Sequence, residues 1–132
     1  MLKDVQAQKL HAPDAGTWNR QLHRVQVFDD LVANIDANAG NLLFDPAWNF
    51  IKVDHSRCFT PTPKLPFKLT RIDQPFYDRV KGLNMEDLRR ELGDLLDNRA
   101  LLSLVGRRDE IVKTFEELAK KRGAAVVFEP WP

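Results

Sequence analysis

From Thr17 onward the apolar positions Trp18, Leu22, Val25, Phe28, Leu31, Val32 and Ile35 recur every three or four residues, the spacing that lines one face of an α-helix. The pattern predicts a helix over 17–34 with Thr17 as its N-cap and with Arg20, Arg24 and Asp30 on the polar face. Trp18 and Phe28 stand at core positions of that helix and are read as packing residues rather than ligand platforms. Residues 1–16 are polar, carry Pro13 and Gly16, and show only weak periodicity through Leu2, Val5 and Leu10. They read as a polar arm or short helix.

The pattern changes after residue 41. A short apolar run, Leu42, Leu43 and Phe44, is followed by the turn-rich Asp45-Pro46-Ala47-Trp48-Asn49 and a second apolar run over 50–53, which predicts a β-hairpin. Pro61, Pro63 and Pro66 then exclude regular structure, so the chain is expected to leave the hairpin as an extended loop. The remainder, 70–123, reads as helical. Ile72, Phe76, Tyr77 and Val80 predict a helix over 70–81 stopped by Gly82, and Asn84 caps a helix over 85–92 ended by Gly93. A segment over 94–104 gives way at Gly106 to a helix over 107–122 with the stripe Ile111, Val112, Phe115 and Leu118, terminated by Gly123. The tail 124–132 has the composition of a short strand. The expected fold is mainly α with a small β-hairpin.

With 132 residues, 43% hydrophobic and 30% charged, the chain is long enough for one domain with its own core and too short for two. Lys and Arg number 20 against 19 Asp and Glu, a net charge of +1, so there is no global basic field of the kind that draws nucleic acid or a membrane surface. Arg107-Arg108 and Lys120-Lys121-Arg122 are local runs that serve a helix dipole and solvent more readily than an anion site. Cys58 is the only cysteine. That excludes an intramolecular disulfide and fits a reducing compartment, where Cys58 acts as a small packed side chain. The first ten residues lack an apolar signal core, and the longest apolar run, 124–128, is too short to span a bilayer. A soluble, cytoplasmic protein is the expectation.

The chemistry concentrates in 34–54. Asp36 is followed five positions later by Asn41, and Asp54 stands just past the second apolar run. A hairpin between Asn41 and Asp54 would bring those two oxygen-bearing side chains to one end of a two-stranded ribbon. Two carboxylates and one amide suit phosphoryl transfer, which needs hard oxygen ligands to hold magnesium against nucleotide phosphates and a carboxylate facing the acceptor hydroxyl. The plain alternative is structural, since Asp45-Pro46 with Asn49 makes a hairpin turn in any protein. His55 is read as a hydrogen-bonding neighbour of Asp54. Arg57 suits a phosphate or a carboxylate equally.

Asn34-Ile35-Asp36, Asn41 and Val53-Asp54-His55 together resemble the catalytic core of atypical kinases of the HipA-like and phosphatidylinositol 3/4-kinase type, which carry an Asn two residues before the catalytic Asp. The resemblance is specific over roughly 18–59 and otherwise extends only to a general C-lobe character. It implies a protein-kinase-like C-lobe over 17–132, with Asp36 as the catalytic Asp, Asn41 as a magnesium ligand, and Asp54 as the magnesium ligand that bridges the phosphates. Three departures accompany it. Ala37 and Asn38 stand where the related enzymes carry Arg or Lys, and His55-Ser56 replaces Phe-Gly. No Gly-rich loop, strand lysine or partner glutamate precedes the motif, so the nucleotide-clamping N-lobe is absent from these residues. The expected function is the catalytic half of a magnesium-dependent ATP phosphotransferase. It would be inactive alone, binding Mg2+ and ATP only when an N-lobe-bearing chain or self-association completes it. The alternative is a pseudokinase-like binding or regulatory module.

Overall fold

The computed structural model describes residues 4, 12–35, 42–52, 58, 59, 61, 62 and 64–131. In chain order these form α1 (Ala15–Leu31), β1 (Leu42–Phe44), β2 (Phe50–Lys52), β3 (Ile72–Asp73), α2 (Gln74–Lys81), α3 (Met85–Leu92), α4 (Asn98–Arg122), α5 (Ala124–Val127) and β4 (Phe128–Glu129). The fold is mainly helical with a two-stranded antiparallel sheet, β1–β2, and a second, parallel pair, β3–β4.

The longest element is α4, 25 residues and so about 37 Å long. Its buried residues Leu101, Leu104, Arg107, Ile111 and Phe115 recur at three- and four-residue spacing, and on that stripe it meets α1, α2, α3 and α5. Val27 and Leu31 of α1, Ile72 of β3, Tyr77 and Val80 of α2, Leu88 of α3 and Val127 of α5 complete the core. The predicted break at Gly106 does not occur. No atom comes within 4 Å of the place a Cβ would take there, so the glycine costs only its intrinsic ~1 kcal/mol. Burial of Leu101, Leu104, Ile111 and Phe115, each worth about 1.5–3 kcal/mol, outweighs that and carries the helix through.

Two further boundaries differ from the sequence pattern. The helix expected over 70–81 starts only at Gln74, because Pro75 has no N–H and cannot bond the carbonyl of Arg71. Asp73 instead caps α2, accepting from the Phe76 amide at 3.0 Å, while Ile72 and Asp73 pair in parallel with Phe128 and Glu129. At the other end, Asp14 rather than Thr17 caps α1. It accepts from the Thr17 amide at 3.2 Å and the Thr17 hydroxyl at 2.7 Å, and these bonds hold its carboxyl below the usual range. Residues 15 and 16 therefore belong to the helix and not to a polar arm.

The expected features that stand are local ones. Asn84 caps α3, accepting from the Asp87 amide at 2.9 Å. Gly93 ends it, and Gly123 ends α4 at φ +93°, where a side chain would be strained. Among the described residues of 58–71 there is no helix or strand. No described helix is long and apolar enough to cross a membrane.

Polar contacts fasten the smaller pieces to α1. Arg24 grips Asp73 with two bonds of 2.7 Å and lies under the Trp131 ring at 3.7 Å. Glu129 of β4 meets His23 at 3.0 Å and Arg71 at 3.2 Å. The loop after the hairpin is stitched down at three points. The Phe59 amide donates to the Val32 carbonyl, Arg107 Nη1 donates to the Thr62 carbonyl at 2.9 Å, and the Phe67 amide donates to Asp30 Oδ1 at 2.7 Å.

Candidate functional site

The last turn of α1 is the base on which the hairpin stands. The chain leaves it through Val32 and through Ala33, which is fully buried at φ +50°. It then reaches Asn34, 1% exposed, whose amide N–H donates to the Asp29 carbonyl at 2.8 Å. Asn34 Nδ2 also donates to Asp29 Oδ1 at 3.1 Å. These bonds reach back five residues and close the helix end around a buried side chain, which fixes the direction in which the chain departs.

The hairpin follows in the expected place. Leu42, Leu43 and Phe44 oppose Lys52, Ile51 and Phe50. In its turn, Asp45 Oδ1 accepts from the amides of Ala47 and Asn49, each at 2.9 Å, an Asx arrangement that explains the Asp at this position. The Asn49 amide is the main reason the Asp45 carboxyl sits below its usual range. Trp48 takes φ +65°, uncommon for a bulky residue. Gln21 of α1 holds it there, donating through Nε2 to the Trp48 carbonyl at 3.0 Å while its Oε1 accepts from the Phe50 amide at 2.8 Å.

Because side chains alternate across a strand, Phe44 and Phe50 share one face and Leu43 and Ile51 the other. The first face packs on α1, with Trp18 at 4.2 Å from Phe50 and 5.9 Å from Phe44 between ring centroids. Trp18 is thus a packing residue, as its helical spacing indicates. The second face is apolar and more open, with Ile51 48% exposed.

Lys52, at the end of β2, reaches back to the same carboxylate that holds Asn34. Its Nζ lies 2.8 Å from Asp29 Oδ1 and 3.0 Å from Oδ2. Asp29 is 3% exposed and Asp30 is fully buried, which corrects the placement of Asp30 on a polar helix face. Asp30 Oδ1 accepts the Phe67 amide, while Oδ2 is buried with no hydrogen-bond partner among the described residues. Burial first, and the adjacent Asp29 charge as well, push the Asp30 carboxyl up to about 7, against the pull of the Phe67 N–H. Arg107 also departs from the sequence reading. It is fully buried, with Nε donating to the Leu31 carbonyl at 2.9 Å.

The residues expected to carry the chemistry, Asp36, Asn41 and Asp54, lie outside the described residues, as do His55 and Arg57. The described structure shows the residues that flank them in the chain. Leu42 and Lys52 face each other at the open end of the hairpin. Asn41 and Asp54 stand one and two positions beyond those residues in the chain, and Asp36 two beyond Asn34. Their oxygen donors are of the kind magnesium takes. Lys52, two positions before Asp54 in the chain, is paired with Asp29. Among the described residues no group of three His, Cys, Asp or Glu could hold a metal. A cleft of about 250 Å³ does exist, lined by Thr17, Trp18, Gln21, Trp48 and Asn49, but it lies at the turn end of the hairpin, away from Leu42 and Lys52.

Sequence reasoning did not single out Asp29, Lys52 or Gln21, and it named Arg107 only within a basic run. One signal was available for Arg107, which interrupts an otherwise apolar stripe through Leu101, Leu104, Ile111 and Phe115. No family model, no curated protein and no solved structure matches the chain.

Proposed function

We propose that the chain is the catalytic half of an atypical magnesium-dependent kinase, a C-lobe that transfers phosphate from ATP once a nucleotide-clamping N-lobe completes it. In this reading Asp36 accepts the proton of the attacking hydroxyl. Asn41 and Asp54 hold the magnesium that supplies charge neutralisation at the phosphates. The observation that supports it is the order and closure of α1, the buried Asn34 and the β1–β2 hairpin. A helix ends in a fixed turn two residues before one acid, and the strands of an antiparallel ribbon begin one residue after the amide and end two residues before the other acid in the chain.

A second reading, a pseudokinase-like binding module, is favoured by Ala37 and Asn38, which stand where the related enzymes carry Arg or Lys. Both readings need a completing partner, an N-lobe-bearing chain or a second copy. They separate in a phosphotransfer assay. Alone with Mg-ATP, the chain is expected to turn over no faster than Asp36→Asn, since the missing loop and lysine contribute orientation and electrostatic stabilisation worth orders of magnitude in rate. With its partner the wild-type chain should gain a rate that Asp36→Asn does not. Robust turnover by the isolated chain contradicts the need for completion. A partner that binds without raising the rate establishes the binding module instead.

A further inference from the structure

The cleft at the turn end of the hairpin combines aromatic walls with polar groups whose hydrogens are largely engaged already. Trp18 and Trp48 line it, their ring centroids 5.4 Å apart and their planes at 75°. Trp48 is only half-buried, stacks on Phe44 at 5.1 Å and sits at φ +65°, a backbone position that a bulky residue keeps only when its surroundings hold it. The rest of the lining includes Asp14, Thr17, Gln21 and Asn49. The Thr17 hydroxyl donates to Asp14 Oδ2 at 2.7 Å, Gln21 Nε2 to the Trp48 carbonyl at 3.0 Å, and Asn49 Nδ2 to Asp45 Oδ2 at 3.2 Å. What these side chains have left is chiefly acceptor capacity, on the Asp14 carboxylate, the Thr17 hydroxyl oxygen and Asn49 Oδ1. The bonds from Thr17 hold the Asp14 carboxyl below its usual range and so ionised. Asp14 forms no ion pair with a described cation, and Arg20, whose charge acts on it through space, lies 3.9 Å from Glu129.

We propose that this cleft is a binding site for a small organic cation, an alkylammonium seated against the indoles of Trp18 and Trp48 with the Asp14 carboxylate as its counter-charge. An aromatic face attracts a cation through its quadrupole, most strongly for Trp, and the attraction grows as the cation leaves water. An anion would meet the Asp14 charge and few available donors, so phosphate and carboxylate ligands are disfavoured. The volume of about 250 Å³ falls below the roughly 300–1,000 Å³ of pockets for drug-sized ligands. It suits a methylated ammonium on a short arm. The inference is independent of the kinase reading, because every residue it uses lies at the turn end of the hairpin or the start of α1. Aromatic residues that served only to pack the hairpin on α1 would give no response that depends on a ligand's charge.

Choline is a suitable probe, paired with its neutral isostere in which carbon replaces the nitrogen. Titrated into 15N-labelled chain, choline should saturably shift the indole N–H signals of Trp18 and Trp48 and the amides of Thr17 and Asn49, and leave the Trp131 indole unmoved. The isostere has the same shape without the charge and should need about tenfold more for the same shift. Asp14→Asn still caps α1, so it should keep the urea midpoint near that of wild type while weakening choline several-fold. Trp48→Leu should weaken choline about tenfold or more. If Trp48→Leu does not fold, Trp48→Phe carries the test, since its smaller ring should give a several-fold loss. An equal response to choline and the isostere, or a choline response unchanged in the Asp14 and Trp48 variants, overturns the assignment to a cation. No saturable shift of these signals in wild type overturns the site itself.

Discussion

Arg107→Ala is expected to lower the free energy of unfolding by about 3–5 kcal/mol, read as a lower urea midpoint at unchanged slope. Arg107 is fully buried in the apolar stripe of α4. Burial works against its charge and lowers its pKa, although guanidinium stays protonated regardless. The arginine is kept there by the carbonyls it bonds, Leu31 at the end of α1 and Thr62 in the loop, both at 2.9 Å. Alanine leaves the buried Leu31 carbonyl unmet at about 1–3 kcal/mol, removes the donor from the part-buried Thr62 carbonyl, and opens a cavity beside them. Arg107→Lys should recover only part of the loss, because a single ammonium does not present the planar fork that spans two carbonyls. A loss below about 1 kcal/mol in Arg107→Ala would show that the clamp contributes little.

The other large effect depends on pH and comes from Asp30. Its folded-state pKa is raised to about 7 from an ordinary 3.8. The stability from this group is therefore fully present below the unfolded-state value and declines as pH rises toward the folded value, flattening above it. Between pH 5 and pH 8 about two units of that window are crossed, which corresponds to about 3 kcal/mol lost. Asp30→Asn mimics the protonated acid, can still accept from the Phe67 amide, and does not titrate. Denaturant unfolding at the two pH values should show the wild-type chain losing about 3 kcal/mol more than Asp30→Asn. Equal losses in the two proteins would place the titration elsewhere.

How much the sequence revealed follows from which forces are local. The caps at Asn84, Gly93 and Gly123 and the hairpin around Asp45-Pro46 are set by neighbours in the chain, and they stand where the pattern puts them. The strand at Ile72 and Asp73 was read as helix because its partners, Phe128 and Glu129, lie at the far end of the sequence. Periodicity counts apolar residues, so it assigned Asp30 to the polar face and Arg107 to the surface. Both are buried because carbonyl and amide partners from other segments meet them in the core. Asp36, Asn41 and Asp54 were chosen by residue type and spacing. The Asp29–Lys52 pair was not legible, since the two meet only once the hairpin has packed on α1.

The proposed function gives Asp36 and Asp54 different tasks. In that proposal Asp54 would contribute to ground-state binding of magnesium-nucleotide, whereas Asp36 would act chiefly during transfer. The direct measurement is a calorimetric titration of the chain, with its completing partner, by Mg-nucleotide and by nucleotide in EDTA. Asp54→Asn should abolish the magnesium-dependent binding and Asp36→Asn should largely retain it. Asn41→Ala should fall between, because an amide offers one neutral ligand. If all three substitutions change only folding stability, with no difference between magnesium and EDTA, the hairpin is structural and the kinase-derived site is contradicted.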